Sequence, residues 1–389
     1  MSDVIFDCTE LYQNPVRTGI QRVVREMLRN WPEDGPRLHV VRYDKDRSLI
    51  RLSEWAVRVL ADQEPGGDSL PRDAIVALLS AGDQSPSEQL PDEAVYFIPE
   101  VFYDPMRCRY YERLMQDYGK TVAMLGYDFI AYLEPHLFNL RTCIGQMEYL
   151  RLIARATHVA HISEATRRDY ERRILRFTSP SKGPVLPLGA DGLVMERQAW
   201  RPDRRNFVAL GSIDQRKNQQ LIFEAFRQLW SDGHNARLTL IGRAFAAADI
   251  AWLEEAQAYE QFCWLDEASD ADIRRELVNA RCTIYVSEAE GYGLPPVESL
   301  AVGIPVITTA AMPSLEGIVK CGQIRLDRVS AATIAGAVES VLTEEIATRL
   351  WANLRTLELS SWAGLGSQTA LWLESTLRHR SRDVAAGLQ

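Results

Sequence analysis

Two hydrophobic patterns alternate along the chain, and together they predict an α/β fold. Short apolar runs rich in β-forming residues, such as VIFDCT at 4–9 and AVYFIPE at 94–100, are typical of buried parallel strands. Elsewhere apolar residues recur at three- and four-residue steps, as they do from Ile20 to Trp31, and predict amphipathic helices. Over 206–310 strand follows helix at short, regular intervals, which is the pattern of a doubly wound parallel sheet.

The segment CTIYVSEAEGYGLPPVESLAVGIPVI, from Cys282 to Ile307, predicts a strand, a tight loop, a helix and a second strand. Pro295 and Pro296 suit a helix start, because the first helical positions need no N–H donor. Glu290 then lies at the carboxyl end of the strand, and Glu298 lies near the start of the helix. Both carboxylates are expected to face the crevice where open α/β sheets bind ligands, beside helix-start N–H groups suited to a phosphate.

Composition narrows the class of protein. The chain has 389 residues, 46% of them hydrophobic, so two or three globular domains are expected. A net charge of −9 argues against a general nucleic-acid binder. The six scattered cysteines form no C-x-x-C pair and predict free thiols in a reducing cytosol. Without a membrane-length apolar run or a signal-peptide pattern, the sequence predicts a cytoplasmic protein, with peripheral contact at the inner face of the membrane left open.

Two sequence motifs contain Glu290 and Glu298 and a second candidate pair, Arg216 and Lys217. Taken alone, the two glutamates are also explained as a loop residue and a helix-capping residue, and the two basic residues as surface cations. However, the string E-G-Y-G-L-P-P-V-E-S-L-A-x-G-x-P-V-I, which begins at Glu290, resembles the signature of retaining glycosyltransferases of family 4, which have the GT-B fold. The pattern G-x-x-x-x-R-K-N, which begins at Gly211, also resembles that family.

The resemblance implies two Rossmann-like, doubly wound parallel-sheet domains that face a central cleft. We expect four parts along the chain: an N-terminal acceptor-side domain at 1–188, a polar linker at 189–205, a nucleotide-sugar-binding domain at 206–360, and a C-terminal helix at 361–389 that crosses back to the N-terminal domain.

The resemblance also implies a donor site that needs neither a metal nor another cofactor. Glu298 is expected to hold the ribose hydroxyls, and Glu290 to contact the sugar ring near the reacting carbon. Arg216 and Lys217 are expected to bind the diphosphate, because fixed cations stabilise the departing nucleoside diphosphate. The other donor-binding candidates offer backbone close to the sugar or phosphates: Gly19, Gly211, Gly291, Tyr292, Gly293 and Leu294.

Gly19 has two interpretations. By the resemblance, a glycine in the first loop lies near the donor diphosphate from the opposite domain. From its position alone, it is also explained as a helix-start residue, next to a capping box predicted from Thr18 and Gln21.

Candidates for the acceptor side lie in the N-terminal half. Family members often carry a His-Asp pair where this chain has Tyr127 and Asp128, so a histidine-based role is in doubt. Asp128 could orient an acceptor hydroxyl or the transferred sugar, whereas Tyr127, with a reference pKa of about 10, is a poor base. The alternative is a tyrosine packed on the core and an aspartate that caps a turn. Ser163 matches the family's V-S-x-x-T/S pattern near the acceptor and is also predicted to cap a helix.

That helix, at 167–176, is basic. Its arginines are explained either as a solvated surface or as a contact with anionic lipid headgroups or a diphosphate-linked acceptor: Arg167, Arg168, Arg172, Arg173 and Arg176.

The opening V-x-T-G-I-x-R and the R-K-N loop are most similar to bacterial mannosyltransferases of polysaccharide and O-antigen assembly. This similarity suggests transfer of mannose from GDP-mannose to a growing, lipid-linked glycan, with retention of configuration and no metal. The alternatives are a UDP-sugar-dependent transferase of the same fold, a GT-B sugar-nucleotide epimerase, and a non-catalytic subunit that binds nucleotide sugars.

Overall fold

The structure is a computed structural model that describes residues 2–15, 18–44, 46, 48–61, 71–82, 89–175, 183–193, 195–244 and 250–386, the last eight of these by backbone only. Its described residues form two compact units. The first contains the residues up to Gly189 and those from Ser360 onward, and the second contains Ala190–Leu359.

The first unit is built on a six-stranded sheet with the order β3-β2-β1-β4-β5-β6. Its described elements are β1 (Asp3–Asp7), α1 (Thr9–Gln13), α2 (Gly19–Arg29), β2 (Arg37–Tyr43), β3 (Leu49–Arg51), α3 (Glu54–Ala61), α4 (Arg72–Gly82), β4 (Ala94–Ile98), α5 (Pro105–Gln116), β5 (Thr121–Gly126), α6 (Ile130–Leu133), α7 (Leu140–Gly145), α8 (Met147–Arg155), β6 (His158–His161), α9 (Glu164–Asp169) and, after the second unit, α16 (Trp362–Ala386).

All neighbours in this sheet are parallel except β2 and β3, which pair antiparallel. The chain leaves β1 for β2 on one side and returns with β4 on the other, so β1 and β4 flank the point where the strand order reverses. In open α/β sheets, ligands bind at the carboxyl ends of the strands beside such a point.

Helix α16 packs within the first unit, although it follows the second unit in sequence. The ring of Trp372 meets that of Phe97 on β4 edge to face, with centroids 6.0 Å apart. The guanidinium of Arg22 on α2 lies 5.7 Å from the centroid of the Trp362 ring. A methyl group on Gly366 would collide with the backbone of Asn30, so α16 approaches the end of α2 closely.

The second unit is a fully parallel six-stranded sheet with the order β12-β11-β10-β7-β8-β9. Its described elements are β7 (Asn206–Leu210), α10 (Gln219–Ser231), β8 (Arg237–Ile241), α11 (Ala251–Ala256), β9 (Phe262–Leu265), α12 (Asp270–Val278), β10 (Ala280–Tyr285), α13 (Leu294–Ala301), β11 (Val306–Thr309), β12 (Gln323–Leu326), α14 (Ala331–Leu342) and α15 (Glu344–Asn353).

The core of the second unit lies between this sheet and helices α10, α11 and α14. Phe223 and Phe226 on α10 are almost fully buried, and the ring of Phe226 meets that of Phe207 on β7 with centroids 5.5 Å apart. The segment predicted as a linker packs on the same unit, because Trp200 lies against Trp351 with ring centroids 5.9 Å apart.

Local sequence signals were accurate at some helix ends and failed at others. Ser269 and Asp272, three residues apart as a capping box requires, form such a box at the start of α12. Thr18 is the N-cap of α2, but its side chain accepts no hydrogen bond there, so the predicted box with Gln21 is absent. Thr9–Gln13 form the short helix α1, although the sequence predicts a strand up to Thr9 and a loop from Glu10 to Arg17.

Two further features bear on the sequence predictions. All six cysteines are free thiols. Among the described residues, no helix combines the length and the apolar composition needed to cross a bilayer.

Candidate active site

The candidate site in the second unit lies where its strand order reverses. The chain runs from β7 outward through β8 and β9 and then returns to β10 on the other side of β7. Two loops follow the carboxyl ends of these neighbouring strands, at 211–218 after β7 and at 286–293 after β10. They are tied together by hydrogen bonds from the N–H of Glu288 to the carbonyl of Arg216, 2.8 Å, and from Asn218 Nδ2 to the carbonyl of Val286, 2.9 Å.

In the first loop, the side chain of Lys217 folds back toward the backbone at Gly211. Gly211 has φ +131°, a conformation that favours glycine, and a Cβ there would lie 2.6 Å from Lys217 Nζ. Lys217 Nζ lies 3.4 Å from Ser212 Oγ. Burial lowers the pKa of Lys217, although the negative charge of Glu290 opposes this shift. The loop therefore holds a cation in a poorly hydrated place, where an anionic ligand would stabilise it.

Glu290 is held by two donors on the same oxygen. Arg216 Nη1 lies 3.1 Å from Glu290 Oε1, and the Tyr285 hydroxyl donates to the same atom at 2.7 Å. Arg216 Nη1 also donates to the carbonyl of Ala289, 2.6 Å away. Within the described part of the chain, Oε2 of Glu290 has no hydrogen-bond partner, and the side chain keeps 14% of its surface exposed. One oxygen is therefore fixed and the other is available to a ligand.

Burial raises the pKa of Tyr285, and the charge of Glu290 raises it further. The hydroxyl therefore stays protonated and acts as a donor to the carboxylate. Sequence analysis did not identify Tyr285, although its place five residues before Glu290, at the end of β10, was a usable signal.

The glycine loop of the motif ends at the start of α13 as predicted. Gly293, the residue before this helix, has φ +88°, and a Cβ on it would collide with the sulfur of Met312. Ser314 fixes the loop with two contacts: its Oγ donates to the carbonyl of Gly293 at 2.7 Å, and its N–H donates to the carbonyl of Tyr292 at 2.8 Å. Sequence analysis did not identify Ser314. Glu298 lies on α13 and is 6% exposed.

In the first unit, Tyr127, Asp128 and Ser163 all take part in local structure. Tyr127 is 4% exposed, and its hydroxyl donates to the carbonyl of Pro99 at 2.6 Å. Asp128 Oδ1 accepts from the N–H of Ile130, 3.2 Å away, at the start of α6. Ser163 accepts from the N–H of Thr166 and so caps α9 as predicted. These contacts correspond to the structural alternative for Tyr127 and Ser163, and Asp128 caps a turn.

Gly19 is the first residue of α2, and a Cβ there would meet no atom within 4 Å. Packing within the described protein therefore does not require glycine at this position. In the basic helix, Arg167 pairs with Glu164, with 2.7 Å between Nη2 and Oε2, while Arg172 and Arg173 are exposed. Arg176 lies outside the described residues.

Sequence analysis missed a buried ionic cluster at the strand reversal of the first sheet. The guanidinium of Arg107 is fully buried and lies 2.7 Å from Asp7 Oδ2, 3.0 Å from Glu100 Oε2 and 3.2 Å from Glu10 Oε1. Burial alone would lower the pKa of Arg107, but the carboxylates of Asp7 and Glu100 raise it overall. The Tyr111 hydroxyl also donates to Asp7. The available signal was an acidic residue at the carboxyl end of β1 and another just after β4.

Glu100 links this cluster to the backbone. Its two carboxylate oxygens accept from the N–H groups of Glu10 and Leu11, each at 2.8 Å, at the start of α1. Burial raises the pKa of Glu100 to about 8, against the attraction of Arg107. Among the described residues, no group of three or more His, Cys, Asp or Glu side chains is arranged to hold a metal ion.

Comparison with solved structures confirms the predicted fold class. The chain resembles a sucrose-phosphate synthase from Thermosynechococcus elongatus, with a TM-score of 0.66, 14% identity, and coverage of 97% of this chain and 100% of that one. It also resembles WaaG, a glycosyltransferase involved in lipopolysaccharide biosynthesis, with a TM-score of 0.57, 17% identity, and coverage of 94% and 98%. The fold is GT-B, with two parallel-sheet α/β domains.

Residues 194–355 match the family model described as "Glycosyl transferases group 1". The match lies within the second unit and supports the glycosyltransferase resemblance seen in the sequence, whereas the finer assignment to retaining family 4 stays a prediction. A stretch of 105 residues is 29% identical to the serotype-specific mannosyltransferase WbdA of Escherichia coli. That stretch is 26% of this chain, and it spans only 13% of the length of the relative.

Proposed function

We propose that the protein is a glycosyltransferase that moves a hexose from a nucleoside-diphosphate sugar to a hydroxyl group of a growing glycan. The arrangement of Arg216, Lys217 and Glu290 at the strand reversal of the second sheet is the observation that carries this proposal. Two cations lie there beside the start of α13, together with a carboxylate of which one oxygen is held by hydrogen bonds. This set suits a ligand that combines a diphosphate with a sugar.

Each group has a proposed task in the reaction. Arg216 and Lys217 bind the diphosphate and stabilise the charge that develops on it as the anomeric C–O bond breaks. Oε2 of Glu290 contacts the sugar beside the reacting carbon, and its charge stabilises the positive character of the ring. Glu298 holds the ribose hydroxyls, while the backbone of Gly291, Tyr292, Gly293 and Leu294 holds the sugar and phosphate.

We further propose that configuration is retained by departure and attack on the same face, with the leaving phosphate accepting the proton of the acceptor hydroxyl. Glu290 is a weak candidate for a covalent nucleophile, because Arg216 and Tyr285 both withdraw charge from its carboxylate. Isolation of a glycosyl adduct on Glu290 would replace this mechanism with a two-step displacement.

Mannose, with GDP-mannose as donor and a lipid-linked glycan as acceptor, is the preferred substrate assignment. It is supported by the sequence motifs and by the similarity to WbdA. A UDP-sugar-dependent transferase is the second candidate. Gly19, Asp128, Tyr127 and Ser163 remain proposed contributors to the donor and acceptor sides. Activity is expected to persist in the presence of a chelator, since the proposed diphosphate contacts are side-chain cations.

The test is release of nucleoside diphosphate from a panel of GDP- and UDP-sugars, with and without lipid-linked acceptors. Acceptor-stimulated release from one donor supports the proposal and identifies that donor. Interconversion of free nucleotide sugars would instead indicate an epimerase, and binding without turnover would indicate a non-catalytic subunit. Lys217→Met should abolish turnover and Glu290→Gln should leave only a small residual rate, whereas Glu288→Gln, at an exposed position in the same loop, should retain full turnover.

A further inference from the structure

An exposed apolar surface lies at the carboxyl-end side of the first sheet, in the segments that follow β4 and β5. We call it the α7 patch. It consists of five side chains with large exposed fractions: Tyr103 (47%), Tyr132 (45%), Leu140 (74%), Ile144 (62%) and Met147 (50%). These are five of the eleven large exposed hydrophobic side chains among the described residues, so the exposure is concentrated rather than scattered.

Local geometry makes four of these side chains neighbours. Leu140 and Ile144 are four residues apart on α7 and therefore share one face of the helix. Met147 follows three residues later, at the start of α8. The ring of Tyr103 lies against Gly145, where a Cβ would be 3.5 Å from its Cγ, and its hydroxyl accepts from Gln146 Nε2 at 3.4 Å. Helix α6, which carries Tyr132, packs against α7.

Cations accompany this apolar surface. Arg141 is exposed next to Leu140 and forms no ion pair among the described residues. Arg172 and Arg173 are exposed on the turn at 170–174 after α9. That turn packs against the start of α6, because the rings of Tyr170 and Phe129 stack with centroids 5.9 Å apart. Three acidic side chains in the same segments have partners: Glu148 lies 3.2 Å from Arg151, Glu171 lies 4.0 Å from Arg167, and Glu134 lies 3.8 Å from His136.

We propose that the α7 patch docks the protein on the surface of an anionic lipid bilayer. Aliphatic side chains would enter the boundary between headgroups and acyl chains, and the two tyrosines would lie at headgroup level with their hydroxyls toward water. The arginines would attract anionic headgroups. The choice of a bilayer over a protein partner rests on the proposed function, because a lipid-linked acceptor would be presented at such a surface.

The test is co-sedimentation of the full chain with vesicles of phosphatidylcholine alone or of phosphatidylcholine mixed with phosphatidylglycerol, without nucleotide sugar or acceptor. The wild-type protein should partition more strongly onto the anionic vesicles. The double variant Leu140→Asp/Ile144→Asp should lower that partitioning about 10-fold or more, because two exposed apolar anchors become acidic. Arg172→Glu/Arg173→Glu should weaken binding to anionic vesicles only.

Val319→Asp/Leu371→Asp is the matched control. It adds the same charge at apolar positions that are 69% and 66% exposed, outside the α7 patch. Equal vesicle binding by both double variants would overturn the proposal. A wild-type dimer that Leu140→Asp/Ile144→Asp converts to a monomer would also overturn it, because the patch would then be an interface between copies. Vesicle binding by a protein that transfers no sugar would preserve the docking inference and reject the proposed function.

Discussion

The hydrogen bond from Tyr285 to Glu290 offers a sharp test of how the candidate site operates. Tyr285→Phe removes a single hydroxyl, and the ring, which is only 7% exposed, continues to pack at the end of β10. The lost contact is 2.7 Å long and its acceptor is the Oε1 oxygen of Glu290. We propose that Tyr285 is a positioning residue that acts through Glu290 and does not touch the substrate.

The expected magnitude follows from the two donors on that oxygen. A hydrogen bond to a charged group contributes about 1.5–3 kcal/mol. Because Arg216 Nη1 still holds the same oxygen at 3.1 Å, we expect a loss near the lower limit. A change of about 1.5 kcal/mol in the activation free energy lowers kcat roughly 10-fold. Affinity for GDP or UDP, measured by calorimetry, should stay unchanged, because Tyr285 lies outside the proposed diphosphate contacts.

A double-mutant cycle separates positioning from a general structural effect. In a Glu290→Gln background with measurable residual turnover, Tyr285→Phe should cost far less than it does in the wild-type protein, because the two residues act together. Tyr259→Phe serves as the control, since Tyr259 is partly buried beside the hydrophobic core, against Trp230 with ring centroids 5.0 Å apart. A full 10-fold loss that persists in the Glu290→Gln background would refute the reasoning, as would a Tyr285→Phe enzyme with wild-type kcat.

Three further predictions concern the framework. Arg107→Ala should lower the free energy of unfolding by about 3–5 kcal/mol in denaturant titrations, because it strands three carboxylates, whereas Arg113→Ala, 67% exposed on the same helix, should change it by less than about 0.5 kcal/mol. Burial lowers the pKa of His161 from 6.5 to about 3 in the folded protein. Between these two pH values the unfolded chain binds a proton at His161 and the folded protein does not. The contribution of neutral His161 to the free energy of unfolding is therefore fully present above the pKa of the unfolded chain and should fall by about 2 kcal/mol by about pH 5. His161→Gln should remove this decrease from the pH profile of unfolding. Gly293→Ala should cost about 1–3 kcal/mol of stability and reduce turnover, because φ is +88° and Met312 blocks the new methyl group, whereas Gly336→Ala, in open space on α14, should be neutral or stabilising by thermal melting.

The second unit was largely predictable because its signals are local in sequence. Glycine and proline fix the turn before α13, and the charged residues of interest follow directly from strands β7 and β10. A parallel sheet then brings the two strand ends together without further information. The motif did not predict the hydrogen bonds that Tyr285 donates to Glu290 and Ser314 donates to Gly293, because these depend on side-chain orientation, which residue spacing alone does not specify.

The first unit was less predictable because its decisive contacts are distant in sequence. Glu100 accepts hydrogen bonds from the N–H groups of Glu10 and Leu11, about ninety residues earlier, which the start of α1 leaves without a partner inside the helix. A helix of five residues is too short to show a periodic pattern of its own. Its existence therefore depends on a carboxylate that no local window contains, and the local pattern alone does not predict the helix.

The two strand reversals place an arginine among carboxylates in opposite ways, and this difference favours the second unit as the donor site. Around Arg107 three carboxylates compete for one guanidinium, which is fully buried, and an added diphosphate would meet a negative surplus. Around Glu290 the balance is different: the two cations Arg216 and Lys217 stand beside two carboxylates, Glu290 and Asp214, and the Arg216 side chain is 16% exposed. An anionic ligand loses solvation in either place, but only the second site has as many cations as carboxylates and so no surplus of negative charge to repel it. The same topological position thus stabilises the fold in one unit and can recruit a ligand in the other.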